Sequence, residues 1–342
     1  MARRPGMAAL AAAAGVSVAT VDRLLNGREQ VAAATRAAVL EAALRIGHPA
    51  AARLTGGGGG AVPVVRFGVL LHKQGQEFYQ NMAREFRSAV ALLPGVKGQL
   101  ELEFSASQAP SEVAALLRGM AGRCDVIAAT AVNHPEITAV VEELKERGIP
   151  VFSLLSDFAQ GVRAGYVGLN NLKVGRTAGW MISLSVRGPG KVALFVGGSR
   201  WHGHDLRETG FRAYLREERG DLEVLDTIVN LETRQLTYET TLNLLNRHPD
   251  LRGIYVAGGG MEGAIAALQQ ARRPGDVALV VNELTAESRA ALATGWVSLV
   301  DSTPLPDLCR EVLALMVRSV RDGASGGGQV FLPIQLHVAE SI

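Results

Sequence analysis

Two cysteines, Cys124 and Cys309, are all that 342 residues supply. So few thiols exclude a disulfide framework, and without metal-ligand spacing they read as core thiols of a protein kept in a reducing cytoplasm. Long apolar runs are also lacking. A membrane span needs about 20 predominantly apolar residues, and the alanine-rich stretch after Arg3 and Arg4 is broken by Gly15 and Ser17 before it meets Asp22 and Arg23. Neither a secretory leader nor a membrane partner is expected from it. No nucleophile, base and orienting acid stand at motif spacing, so no catalytic residue is assigned. Gly197-Gly198 and Gly258 to Gly260 fail to complete G-x-G-x-x-G with an acid about 20 positions on. No cofactor is expected. His202-Gly203-His204-Asp205 lacks a third ligand at helical spacing, which favours hydrogen bonding at a cleft mouth over a metal site.

What is present is an ordinary globular composition, 48% apolar and 20% charged, with room for two or three domains. The basic charge is concentrated at one end: up to Gly56 seven arginines face three acids, whereas the whole chain carries only +2. This gives attraction for phosphate to the N-terminal piece. That piece also reads as a helix-turn-helix. Met7 to Ala14 suits a short helix that Gly15 can end with a positive φ, and Ser17 is placed to cap the next one. There Val21, Leu24 and Leu25 fall on one face, leaving Val18, Ala19 and Arg23 on others. A third helix is expected from a Thr35 cap, with Val39, Leu40, Ala43 and Leu44 as its apolar stripe until Gly47 and Pro49 stop it.

Five glycines, Gly56 to Gly60, mark a boundary, after which apolar runs and amphipathic helices alternate. Strands are expected at Phe67 to Leu71, Leu100 to Phe104, Val126 to Ala129 and Val151 to Leu155, each followed by a helix. From Lys173 the pattern repeats, with strands at Val192 to Val196, Glu223 to Ile228, Gly253 to Val256, Val277 to Val281 and Val297 to Val300. The helix Leu308 to Val320 and one last strand near Gln329 to Leu336 close this second unit. Buried strands alternating with helices indicate an α/β fold of two doubly wound parallel sheets, with a ligand cleft between them at the strand carboxyl ends.

Over nearly its full length the chain resembles the lactose/galactose repressor (LacI/GalR) family. The motif A-G-V-S-x-x-T-V-x-R-x-L-N is met by Ala14 to Asn26, and Val31 and Thr35-Arg36 continue it. Tyr166-Val167-Gly168-Leu169-Asn170-Asn171 with Gly175-Arg176 is similar to the family's Y-V-G-x-D-N crossover, and Arg207-Glu208-Thr209-Gly210-Phe211 to its R-x-x-G-F element. With Asp22, Ser156-Asp157 and Glu283-Leu284-Thr285, the closest branch has an effector domain like ribose-type periplasmic sugar-binding proteins. The resemblance implies a helix-turn-helix DNA-binding domain at 1–55, a glycine-rich linker at 56–64 and a periplasmic-binding-protein-like effector and dimerisation domain at 65–342. It implies a homodimeric cytoplasmic repressor whose hold on a palindromic operator is set by a sugar or polyol. A solute-binding protein without a DNA role and an NAD(P)-dependent oxidoreductase are the alternatives.

The resemblance places Val18 and Ala19 where the family reads bases. Arg23 can bond guanine O6 and N7 together, and Ser17, Thr20, Asn26 and Arg28 suit phosphate contacts. Leu54 follows Ala-Arg as the family's minor-groove wedge does, although the short hinge and the glycines after it argue against a helix there. Three departures stand out: that short hinge, Ala9-Leu10-Ala11 in place of the usual capping Asp-Val-Ala, and Gly258-Gly259-Gly260 where a cleft strand usually brings an Asn-Asp pair. In the cleft, Phe78 or Tyr79 can stack on a sugar ring, one of the two being expected to face it. Asp157, Arg207, Glu283 and Ser302 sit at strand ends or between strand and helix, where they can bond hydroxyls.

Overall fold

The computed structural model describes residues 6–26, 31–55, 62–323 and 328–342. Arg28, Arg3, Arg4 and the glycine run Gly56 to Gly60 lie outside the described residues. Two compact units are present, residues 1–64 with 93–97 and residues 65–92 with 98–342.

The first unit holds helices α1 (Met7–Ala14), α2 (Val18–Asn26), α3 (Ala33–Arg45) and α4 (Ala50–Thr55). Gly15, at φ 67°, ends α1 in the left-handed region and lets Val16 N–H return to the Ala11 carbonyl at 3.1 Å. The chain then turns by 107° into α2, the angle of a helix-turn-helix. Ser17 Oγ accepts the Thr20 N–H at 3.1 Å, as a cap should. Leu10, Val21, Val39, Ala43, Ala50 and Leu54 bury together, with Leu24 and Leu25 packed on them. No single helix among the described residues is long and apolar enough to cross a membrane.

Three local expectations need correction. Helix α1 begins at Met7 behind Gly6, so Ala9 lies inside it rather than at its cap, and no side chain caps it. Ala32, not Thr35, precedes α3, which starts early because alanine favours the helix without any cap. The hinge segment is helical: α4 spans Ala50–Thr55, and the His48 ring nitrogen Nδ1 caps it by accepting the Ala50 N–H at 3.0 Å. Ala50 and Leu54, four residues apart, both turn into the core, and Leu54 is only 6% exposed. A leucine buried in its own domain is not offered as a minor-groove wedge.

The second unit begins with β1 (Val64–His72), α5 (Glu77–Ala91), β2 (Lys97–Ser105), α6 (Pro110–Met120), β3 (Val126–Ala129), α7 (Pro135–Glu146), β4 (Val151–Leu154) and β5 (Gly165–Leu169). It continues with α8 (Asn171–Ser185), β6 (Gly190–Val196), α9 (His202–Glu218), β7 (Leu222–Val224), β8 (Ile228–Val229), α10 (Arg234–Arg247) and β9 (Leu251–Val256). Then come α11 (Met261–Ala271), β10 (Ala278–Asn282), α12 (Ala286–Ala293), β11 (Leu299–Ser302), α13 (Leu305–Asp322), β12 (Gln329–Leu332) and β13 (Gln335–His337). One sheet has the order β12-β5-β4-β3-β1-β2 and the other β13-β11-β10-β9-β6-β7, with β8 on β6. The pairings β1–β3, β3–β4, β4–β5 and β5–β12 are parallel, as are those from β7 to β11, while β13 runs antiparallel on β11. Strands β3, β4 and β5 are buried throughout, which is why they read as unbroken apolar runs.

Where the chain passes between the two lobes differs from the sequence reading. Helix α13 packs on α5, β3 and β5, so it covers the first lobe, not the second. The single strand expected from Gln329 to Leu336 is two strands, one in each sheet, parted at Pro333, which has no N–H for a ladder. Strand β5 was not expected as a strand, since two glycines in five residues depress the signal. The run Glu223 to Ile228 divides into β7 and β8.

Candidate functional site

Between the lobes lies a cleft lined from both sides, by Gln76 and Thr130 of the first and by Glu232 and Asn282 of the second among others, the place where ligands of such folds bind. Its best-fixed group is Arg207 on α9, 8% exposed. Nε donates to Asn171 Oδ1 and Nη1 to the Ala257 carbonyl, each at 2.7 Å. Asn171 in turn donates to Leu155 O at 3.0 Å and to the Tyr166 hydroxyl at 3.2 Å. The crossover after β5 therefore aims the arginine. Glycines permit this geometry: a Cβ on Gly175 would overlap the Arg207 carbonyl, and one on Gly210 the Leu172 carbonyl.

Glu283 follows β10 with φ 71°, a left-handed turn that lets its carboxylate accept the Thr303 N–H at 3.0 Å and hydroxyl at 2.7 Å. Burial nevertheless raises its pKa to about 6. Beside it Asn282, 4% exposed, lines the cleft next to the Tyr255 hydroxyl, and among the described residues neither amide atom makes a hydrogen bond of ordinary length and angle. Trp201 Nε1 is likewise buried without an acceptor.

Glu232 and His204 form a second polar pair. Leu231 and Glu232, at φ 50° and 53°, turn the chain so that the carboxylate points inward. It accepts the Gly259 N–H at 3.2 Å and lies 3.5 Å from Lys73 Nζ and 3.7 Å from His204 Nε2. Burial works to raise its pKa, and His204, Lys73 and the Gly259 N–H outweigh burial and hold it below the usual carboxylate value. Burial also lowers His204 to about 4, so the ring is neutral at pH 7. Its Nδ1 accepts the Gly197 N–H at 3.1 Å, which leaves the proton on Nε2, facing Glu232. A Cβ on Gly258 would stand 2.7 Å from the His204 ring and 2.9 Å from Glu232 Oε1. The triple glycine thus makes room for a polar pair brought by other elements, and the cleft wall stays polar there.

Several contacts join the lobes directly. Lys73 Nζ donates to Leu231 O at 2.7 Å, Gln76 Nε2 to Glu232 O at 3.1 Å, and Gly203 N–H to Ser156 Oγ at 3.0 Å. Trp201, on the second lobe's loop before α9, is buried in the first lobe's core cluster.

Of the expected effector residues, the structure brings Phe78, Tyr79, Arg207 and Glu283 together on the cleft. Both aromatics line it, their rings 5.2 Å apart and edge-on, rather than one alone. Asp157 and Ser302 stand elsewhere. Asp157 is 3% exposed and accepts from Ser153 Oγ and Arg163 Nη2 at 2.7 Å and from Gln160 and Gln329 at 3.1 Å, a tie within the first lobe. Ser302 Oγ shares a 2.8 Å hydrogen bond with His337 and faces a separate cavity with Arg84 and Asn81. Sequence reasoning missed Glu232, Asn171, Trp201, Asn282 and Gln76 as cleft residues. Only His204 gave a signal, in its hydrogen-bonding role. Glu232 follows a two-residue strand in a polar loop that has no periodicity to mark it.

On the first unit, Val18 is 46% exposed, and Ser17, Ala19 and Arg23 are exposed too, all along or just before α2. Thr20 is half-buried and shares a 2.8 Å hydrogen bond with Ser17 Oγ, so the two hydroxyls first serve the cap. Arg23 Nε reaches Ala19 O at 3.3 Å, folding the side chain back along the helix. Asn26 ends α2.

Comparison with known proteins agrees with both units. The profile of bacterial regulatory proteins of the lacI family matches residues 7–48, and that of the periplasmic binding protein domain matches residues 67–321. The chain belongs to the lacI-type regulators whose larger part is a periplasmic binding protein domain. Similar solved structures include GanP, a glucose-galactose binding protein from Geobacillus stearothermophilus, at 19% identity, TM-score 0.74, covering 82% of this chain and 99% of that one. A solute-binding protein from Agrobacterium vitis with bound alpha-D-tagatopyranose is 17% identical with TM-score 0.74, covering 81% and 95% of the two chains. One from Actinobacillus succinogenes 130z with bound D-allose is 15% identical with TM-score 0.74, covering 81% and 98%. No curated protein sequence matches the chain significantly.

Proposed function

We propose that this chain is a ligand-responsive transcription repressor, a cytoplasmic homodimer that binds a palindromic operator and reads a sugar or polyol in its cleft. Residues 1–55 serve as the DNA-binding domain and 65–342 as the effector and dimerisation domain. The observation that carries the reading is the set of buried cleft groups without a hydrogen bond of ordinary geometry: the Asn282 amide and Trp201 Nε1–H, set beside Phe78 and Tyr79. Buried polar groups cost free energy until something bonds them. A hydroxylated ring with an apolar face answers both halves of that wall. Arg207 and Glu283 bond its hydroxyls, and Phe78 and Tyr79 cover its face.

On the DNA side, Arg23 reads a base, Val18 and Ala19 meet thymine methyls, and Ser17, Thr20, Asn26 and Arg28 hold phosphates. Two-fold symmetry requires half-sites in register with the DNA helical repeat. An effector that binds the closed lobes better than the open ones biases that equilibrium, and a coupling of about 1 to 3 kcal/mol changes operator affinity about 5- to 150-fold. The test is a thermal-shift screen of the full chain against sugars and polyols, followed by operator selection with and without the hit. A raised melting temperature and a matching change in operator affinity are expected. A cleft ligand that leaves DNA affinity unchanged would refute the coupling.

A further inference from the structure

The cleft's charge balance points to a narrower ligand class than sugars and polyols at large. Four carboxylates, Glu77, Glu232, Glu262 and Glu283, line it against a single arginine. Only Glu232 has a lysine close by, Lys73. Arg207 directs Nε and Nη1 to two neutral acceptors, Asn171 and Ala257, its charge acting on Glu283 through space, and among the described residues the hydrogen bonds to the Glu283 carboxylate come from the neutral Thr303. Near the mouth, Glu262 is crowded by Glu77 and Glu287, and Arg234 is drawn to Glu287 by an ion pair at 3.1 Å.

Two further features concern the ligand itself. Phe78 from the first lobe and Glu283 from the second stand near each other, since both line the main cleft and also the separate cavity that Ser302 faces. An aromatic face beside a carboxylate is the combination that receives an ammonium group. Asn282, next to Glu283 and more than nine-tenths buried, offers an amide with no hydrogen bond of ordinary geometry among the described residues, which suits the hydroxyl adjacent to such an amine.

We propose that the effector is a cationic amino sugar or amino polyol, its protonated amine seated between Phe78 and Glu283 and its hydroxyls on Asn282 and Arg207. This rests on the reading of the cleft as a small-ligand site and adds the sign of the ligand's charge. The acidic wall attracts the cation, and the same wall opposes a sugar acid. Glu262 and Glu77 act at longer range, raising the local concentration of cations at the mouth. Neutral sugars keep the stacking and hydroxyl contacts and lose the ion pair.

The experiment is calorimetry on the full chain at pH 7 with matched sets on one carbon skeleton: D-glucosamine, D-glucose, N-acetyl-D-glucosamine and D-glucuronate, with the galacto set and amino-alditol against alditol beside them. In the best-binding set the amine is expected to bind at least about tenfold tighter than its neutral counterpart, N-acetylation to remove that gain, and the acid to bind weakest. E283Q should abolish most of the amine preference. E262Q, at a part-exposed position, should reduce it less than E283Q does. Neutral sugars binding as well as amines, or the acid binding best, overturns the amine assignment and leaves the cleft reading standing. If no member of any set binds, both fall.

Discussion

The two lobes each bury a carboxylate near a strand end and treat it in opposite ways. In the first lobe Asp157, just after β4, accepts hydrogen bonds from Ser153, Gln160, Arg163 and Gln329, and nothing about it waits for a ligand. In the second lobe Asp301, on β11, is fully buried with neither oxygen bonded among the described residues, and the amide of its register partner Asn282 makes no hydrogen bond of ordinary geometry among them. The first lobe ties up this carboxylate by itself and gives the cleft both aromatics, with Gln76, Glu77, Thr130 and Ser156 beside them. The second keeps unspent polar groups, of which Asn282 lines the cleft and Asp301 lies buried beside it in the sheet. Stability is therefore concentrated in one lobe's ion pair and ligand recognition in the other's.

The largest effect should come from breaking the finished side. Asp157 and Arg163 have side chains 4% exposed each, and removing one partner of such a pair strands the other, at a cost of about 3 to 5 kcal/mol. Asp157→Ala should lower chemical-denaturation stability by that order, while the residual folded protein keeps its effector affinity. A loss of affinity without a loss of stability would return Asp157 to the ligand site. The complementary change on the open side is Arg207→Ala. Here about 2 to 4 kcal/mol of effector affinity should disappear, roughly 30-fold or more by calorimetry, because a charged, aimed hydrogen-bond donor is removed. Operator binding by the ligand-free protein is expected to persist. An unchanged effector affinity would take Arg207 out of the site.

A smaller loss is expected from the aromatic wall. Phe78 is half-buried and packs edge-on to Tyr79, so Phe78→Ala should cost about 1 to 2 kcal/mol of effector affinity through lost stacking. If it costs as much as Arg207→Ala, stacking on the first lobe would hold the ligand as strongly as the aimed arginine of the second.

Much of this arrangement was legible in the chain, and the gaps have physical causes. Strands buried on both faces announce themselves as apolar runs, which is why the alternation of β3, α7 and β4 could be read directly. The rule that such folds bind at strand ends pointed to Glu283, and Arg207 reaches the same cleft from inside α9 rather than from between strand and helix. Asp157 was misread by the same rule, since position after a strand says nothing about Arg163, six residues on, turning to meet it. Glu232 was invisible because its inward aim depends on two consecutive left-handed residues and on space cleared by Gly197, Gly258 and Gly259. Leu54 carried a motif meaning, yet four residues after Ala50 on a short helix it had a simpler use as core.

A dependence on pH tests the unfinished side most directly. Burial raises the Asp301 carboxyl to about 8, with Glu283 adding to the rise and Arg207 opposing it. The folded protein therefore keeps a proton that the unfolded chain releases near pH 4. Between these values the folded state binds more protons than the unfolded one, so stability falls as pH rises from about 4 to about 8. Asn at this position has nearly the same shape and no proton to lose. Asp301→Asn should match the natural protein at pH 4 and exceed it progressively up to pH 8. In thermal melts this is a rise of about 2 to 4 °C per kcal/mol at pH 8. A variant that is less stable at pH 8, with the difference vanishing at pH 4, would mean that Asp301 is ionised and bonded in the folded protein. The two lobes would then treat their buried carboxylates alike.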